Sequence, residues 1–272
     1  MKPTLHLAAA ISAAFFCAHL STPISAAESQ TVASFEKTIT KKVGYQYLLS
    51  LPTGYDAKAG KVWPVILFLH GGGERGADVW KVAVHGPPKL LRANAPAPAD
   101  ETPDARARRE AATKTLAENF IVVSPQCPPG VWWDDDGIGA LLDVITAKHK
   151  VDVSRTYLTG LSMGGYGTWS YAMKHPGRFA AIVPICGGGL SIDVLRASRE
   201  MNPALLGLGV WVFHGAKDTN VPLEESERMV AALKKAGATD VQFTVYPEAK
   251  HDSWTETYNN PELYAWLLKH QR

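Results

Sequence analysis

The pentapeptide Gly160-Leu161-Ser162-Met163-Gly164 carries the clearest chemistry in the sequence. A serine hydroxyl is presented as a nucleophile when the chain turns sharply beneath it, and such a turn crowds its neighbours so that glycine is needed on both sides. Residues 156–159 before it read as a short strand. Residues 166–174 after it read as a helix stopped before Pro176. A helix-capping serine in a tight turn would use the same letters, so the assignment needs a base and an acid as well.

A serine that forms an alkoxide requires a base to take its proton and a carboxylate to orient that base. Where the nucleophile sits on a strand–turn–helix, the acid and then the base follow it in the chain. Beyond the nucleophile helix lie His214, His251 and His270. His214 ends a buried strand (210–213) and reads as structural, and His270 near the C-terminus reads as solvated. His251 follows the last predicted strand (241–246) in Lys250-His251-Asp252-Ser253-Trp254, where a loop can carry it over Ser162. Asp218 is the only carboxylate in the loop after strand 210–213, and its rival reading is an Asx-turn residue. Asp252 is too close to His251 in sequence to reach its ring easily and reads as a loop residue.

The oxyanion of an acyl-transfer intermediate needs preorganised N–H donors. Met163, directly after the serine, offers one. The run His70-Gly71-Gly72-Gly73 offers the other, from Gly72 or alternatively Gly73. Trp132, Trp133 and Trp254 read either as an apolar wall for a ring or sugar of the substrate or as rim residues of the core. Asp134, Asp135 and Asp136 supply too few ligands for a calcium site. No metal and no cofactor are expected.

The elements that must position these residues alternate between strand and helix. The run 62–69 (VWPVILFL) is almost continuously apolar, as in a strand buried on both faces, and 45–51, 120–124 and 180–185 are further strands. Helices are expected over 137–149, 224–236 and 261–270. This rhythm implies a mostly parallel sheet with helices on both faces, and the polar groups above all fall at the carboxyl ends of strands. The Pro-, Ala- and Arg-rich stretch 93–109 breaks the rhythm and reads as a surface insertion, either a mobile loop or a small lid.

The 272 residues suit one α/β domain over 28–272. A net charge of +2 and the lack of long like-charge blocks argue against nucleic acid or an anionic membrane surface as partner. Residues 1–27 follow the pattern of a secretory signal peptide: Lys2, an apolar run interrupted by His19, then Ser25 and Ala27 before a cleavage point. The run is too short for a membrane anchor, so a secreted or periplasmic protein is expected. Past the cleavage point Cys127 and Cys186 remain. They pair as a disulfide or stay as buried thiols, and spacing alone does not decide.

With those residues in place, the chain from about Tyr45 onward resembles a bacterial group of secreted α/β-hydrolases, the peptidase and phospholipase/carboxylesterase group, similar to feruloyl and acetyl-xylan esterases and to polyhydroxybutyrate depolymerases. The motifs are LFLHGGGERG (67–76), SPQCP (124–128), YLTGLSMGGYGTW (157–169), PICGGG (184–189), FHGAKD (213–218) and HDSW (251–254). The resemblance implies an α/β-hydrolase fold and a serine carboxylesterase acting through an acyl-enzyme. Its expected substrate is a small-molecule or polysaccharide-linked ester, such as an acetyl or feruloyl ester. Polyester depolymerase and serine peptidase are alternatives on the same residues, and a non-catalytic carbohydrate-binding protein is the rival from another class.

Overall fold

The computed structural model describes residues 32–93 and 101–272. The chain divides into two compact units, 1–41 and 42–272. In the first unit, the described residues 32–41 carry neither helix nor strand. The expected signal segment, 1–27, lies outside the described residues, as do residues 94–100 of the expected insertion.

In the second unit, the described residues form one sheet from β1 (Gln46–Ser50), β2 (Trp63–Leu69), β3 (Ile121–Gln126), β4 (Val151–Leu161), β5 (Ala181–Ile185), β6 (Gly209–Gly215) and β7 (Val241–Tyr246). The strand order is β1-β3-β2-β4-β5-β6-β7, with β1 antiparallel to β3 and every other pairing parallel. The helices are α1 (Gly86–Leu91), α2 (Pro103–Asn119), α3 (Asp135–Lys148), α4 (Met163–Lys174), α5 (Ser191–Glu200), α6 (Asn202–Leu206), α7 (Glu224–Lys235), α8 (Trp254–Tyr258) and α9 (Pro261–Lys269).

The period-two alternation of a strand explains the layering. Val65, Leu67 and Leu69 of β2 face a core completed by Ile138 and Leu142 of α3, Trp169 of α4, Val194 of α5 and Met229 of α7. Ile66 and Phe68 face a second core with Leu116 of α2, Tyr258 of α8 and Leu263 and Leu267 of α9. All of β2 is buried, which is why its sequence reads as an unbroken apolar run. The strand order reverses at β2, with β3 on one side and β4 on the other, so the loops leaving β2 and β4 open a crevice at their carboxyl ends.

Part of the expected insertion is helix rather than loop. Residues 103–109 are the first turns of α2, a 17-residue helix capped by the Thr102 hydroxyl, with Pro103 in its first turn. Glu101 clamps Arg109 through two hydrogen bonds of 2.7 and 2.9 Å. Only Ala112 and Leu116 of α2 are buried, so the apolar stripe that would announce a helix is nearly absent. Strand β4 is also longer than the expected 156–159, because Asp152, Ser154 and Arg155 interrupt its apolar pattern without ending it.

Two glycines let α4 pack against the strand ends. A Cβ at Gly160 would meet the Gly164 carbonyl, and one at Gly164 would fall on the Leu69 carbonyl of β2. Gly73, by contrast, faces open space. We expect Gly164→Ala to cost at least about 3 kcal/mol in urea unfolding, or to prevent folding, while Gly73→Ala stays within roughly 0.5 kcal/mol of the parent. Equal stabilities for the two variants would contradict the packing described.

Candidate active site

Ser162 stands between the end of β4 and the start of α4 at φ 53°, ψ −117°, a left-handed conformation that lifts its side chain above the sheet. The neighbouring strand holds it there: its N–H donates to Ile185 O of β5 (3.0 Å), and its carbonyl accepts from Tyr166 N–H (3.0 Å).

His251, in the loop after β7, reaches Ser162 Oγ with Nε2 at 2.9 Å and Asp218 Oδ2 with Nδ1 at 2.7 Å. A carboxylate only accepts, so Nδ1 carries the proton and Nε2 presents its lone pair to the serine hydroxyl. Asp218 follows β6 with its side chain 0% exposed. Its other oxygen accepts the N–H groups of Asn220 (2.9 Å) and Val221 (3.0 Å). Burial alone would raise the Asp218 carboxyl, but the bonds from His251, Val221 and Asn220 outweigh it and hold the group below its usual range. The Asx-turn reading of Asp218 and its place beside His251 are therefore both true, one on each oxygen. Asp252 instead accepts the backbone and hydroxyl of Thr255 at the start of α8.

Met163 N–H is the first of α4 and Gly72 N–H the first of a one-turn helix, Gly72–Glu74, so neither has an intrahelical partner. Gly71 N–H is already committed to Glu74 Oε2 at 2.9 Å. The loop bearing Gly72 is braced by groups the sequence reading passed over. His70 Nδ1–H donates to Gly71 O (2.6 Å), and its Nε2 accepts Cys127 N–H (2.9 Å). Arg75 Nε donates to Gly72 O (2.9 Å), and Gln126 spans to Glu74 O (2.8 Å) and Asp78 O (2.7 Å). The conspicuous HGGG run draws attention to the glycines, whereas their bracing comes from side chains of His70, Arg75 and Gln126, two of them bonded across to residues about fifty positions away.

The three tryptophans differ. Trp254 edges onto His251 (ring centroids 5.3 Å apart) and donates its indole N–H to His85 Nδ1 (3.2 Å). Trp132 is 61% exposed and meets Tyr166, one turn into α4, at 6.0 Å. Trp133 packs against His70 and donates to its carbonyl (3.1 Å), so its polar atom serves the loop. Cys127 and Cys186 are free thiols, both buried. Burial pushes them up to about 11 and about 12, so they stay protonated at neutral pH. His270 is not the solvated residue expected: it bonds Asp240 (2.7 Å) and Trp266 O (2.8 Å). Asp134 caps α3, and Asp135 pairs with Lys174 at 2.6 Å.

Fold and site together define an α/β-hydrolase. The chain belongs to the family described as "Putative esterase", whose model matches residues 42–188, more than half of its length. Residues 199–271 match the prolyl oligopeptidase family. The chain is similar to a poly(3-hydroxyoctanoate) depolymerase of Pseudomonas fluorescens, 25% identical over 57% of this chain and 61% of that protein. It is also similar to a bifunctional acetylxylan esterase/xylanase of Neocallimastix patriciarum, 29% identical over 56% of this chain and 22% of that protein. It thus spans less than two thirds of either relative. Among solved structures, a thermostable esterase superposes with a TM-score of 0.63 at 30% identity, over 83% of this chain and 59% of that one. A ferulic acid esterase gives 0.57 at 20% identity, over 81% and 90%, a likeness of fold alone.

His70 makes the Gly72 loop sensitive to acid. It is 1% exposed, and burial lowers its pKa from 6.5 to about 4. The unfolded chain therefore binds the extra proton first. The stabilisation is complete above about pH 6.5 and is lost as pH falls toward 4, by up to roughly 3 kcal/mol. Melting temperature should fall across that window, and His70→Gln should flatten the fall. An identical pH profile in the variant would remove His70 as its source.

Proposed function

We propose that the protein is a serine carboxylesterase that works through an acyl-enzyme. The observation that carries this reading is His251 bonded at once to Ser162 Oγ (2.9 Å) and Asp218 Oδ2 (2.7 Å). Ser162 Oγ attacks the ester carbonyl while His251 Nε2 takes its proton. The oxygen gains negative charge facing the N–H groups of Met163 and Gly72, each such donor being worth about 3 kcal/mol in the transition state. As the intermediate collapses, His251 returns the proton to the departing alkoxide, leaving an alcohol and an acylated serine. Water then attacks the acyl carbon and gives a proton to His251. Ser162 leaves with that proton, and the carboxylic acid is released.

The substrate class rests on the relatives. One is named for a polyester, whose esters link the main chain, and one for acetylated xylan, whose esters decorate it, and both names describe polymer-bound acyl esters. An acetyl or feruloyl ester on a plant polysaccharide or its fragment fits that class, and the signal-like residues 1–27 fit an enzyme exported to meet it. The match of 199–271 to the prolyl oligopeptidase family favours a second reading, amide hydrolysis by the same residues. A matched ester and amide separate the two.

Ser162→Ala should lower kcat/KM on p-nitrophenyl acetate by about 10⁴-fold or more. It should also abolish labelling by a fluorophosphonate probe. Wild-type turnover and labelling in that variant would overturn the reading.

A further inference from the structure

His214, the penultimate residue of β6, has a side chain 0% exposed, yet both ring nitrogens are engaged. Nδ1 lies 2.7 Å from Ser226 Oγ of α7, and that hydroxyl lies 3.0 Å from Gly187 O in the loop after β5. Nε2 lies 3.0 Å from Val221 O and 3.3 Å from Asp218 Oδ2. Both neighbours of Nε2 are pure acceptors, so this nitrogen carries a proton. Its hydrogen bond goes to Val221 O, and the carboxylate oxygen stands beside the same N–H at ion-pair distance.

Asp218 Oδ2 is also the oxygen that accepts His251 Nδ1–H. One carboxylate oxygen thus lies between two imidazoles, and each imidazole meets a serine hydroxyl at its far nitrogen: Ser162 on one side, Ser226 on the other. Val221 is held from both ends, its N–H on Asp218 Oδ1 and its carbonyl on His214.

We propose that His214 is a positioning residue for ester hydrolysis: it locks the Asp218–Val221 turn and sets the basicity of His251 by placing an N–H against the carboxylate they share. The proposal rests on the esterase reading above. Two effects follow from the geometry. Held from both sides, Asp218 keeps His251 aimed at Ser162. The partial positive charge of the Nε2–H offsets part of the carboxylate charge that faces His251 Nδ1–H. Charged neighbours are few and turned elsewhere: Lys217 pairs with Glu248, Glu225 with Arg228, and Asp252 accepts from Thr255. Cys186, from the β5 loop, is held protonated by burial, and burial likewise raises the Tyr166 phenol on α4. Ser226 is what α7 presents to the ring.

Two amides dissect the ring. In His214→Gln the amide nitrogen can take the place of Nε2 and keep the contacts to Val221 and Asp218. In His214→Asn it falls near Nδ1 and keeps only Ser226. With p-nitrophenyl acetate, His214→Asn should lose roughly 10²-fold in kcat at little change in KM. The acidic limb of its kcat/KM profile should rise by about 0.5 to 1 pH unit. His214→Gln should retain most of the activity and a limb near that of the parent. Should His214→Asn not fold, Ser226→Ala, which frees the ring at Nδ1, should move the limb upward by a smaller amount. An unmoved limb and parental kcat in the folded variants, or equal losses in Gln and Asn that track melting temperature alone, would overturn the proposal. Wild-type protein inert toward both the ester and a fluorophosphonate would overturn the esterase reading and this proposal with it. A reactive wild type with unmoved variants overturns this proposal alone.

Discussion

A serine held at φ 53° at the end of a buried strand is a backbone the chain adopts only under compulsion, at a cost of roughly 1–3 kcal/mol. That is of the order of one well-buried leucine, and the compulsion comes from the two apolar cores that clamp β2 and β4 together. The clamp has a geometric condition. The start of α4 must pass against the carbonyls of Leu69, the last residue of β2, and of His70 after it, with no Cβ in the way at Gly164. Once it does, the serine and the loop after β2 share one corner of the sheet. Ser162 and the candidate oxyanion donors are therefore products of one packing contact.

The polar groups brought to that corner are partly or wholly removed from water, and most are paired. Asp218 accepts the N–H groups of Asn220 and Val221 on one oxygen and of His251 on the other, and His70 uses both ring nitrogens. This matters because an unpaired buried donor or acceptor costs about 1–3 kcal/mol. A partly satisfied network would loosen the site before it destabilised the fold. Bracing of the Gly72 loop by His70, Arg75 and Gln126 has the same logic. Donors aimed at a developing charge help only if they need not move when it appears.

The legible parts of the sequence were those whose signal is local. The pentapeptide carried its own strand and helix, the apolar run of β2 declared itself buried on both faces, and Asp218 stood alone as a carboxylate in its loop. Helix α2 was illegible for the opposite reason. It buries only Ala112 and Leu116, so its evidence was not amphipathic periodicity but Thr102-Pro103 at its start and a run of Ala, Arg, Glu and Lys, good helix formers after a capping pair. The partners of His70, Gln126 and His214 were hidden because they lie far along the chain or on another element. A buried polar residue at a strand end is a local clue that some partner exists, but it does not name it.

The two family matches divide the chain between residues 188 and 199, and the candidate site residues divide with them. Ser162, Met163 and Gly72 lie on one side, and Asp218 and His251 on the other. What joins the halves is the pairing of β5 with β6, extended past the strand end by Cys186 N–H donating to Phe213 O (2.9 Å). Ser162 N–H is fixed to Ile185 O one residue earlier, so Ser162, the end of β5 and β6 are in register within a few bonds of one another. A slip at that pairing would turn every β6 side chain to the opposite face and carry Asp218 away from His251. Neither half holds the base over the serine alone, and the register of one parallel strand pair decides whether the corner is a site or merely an edge.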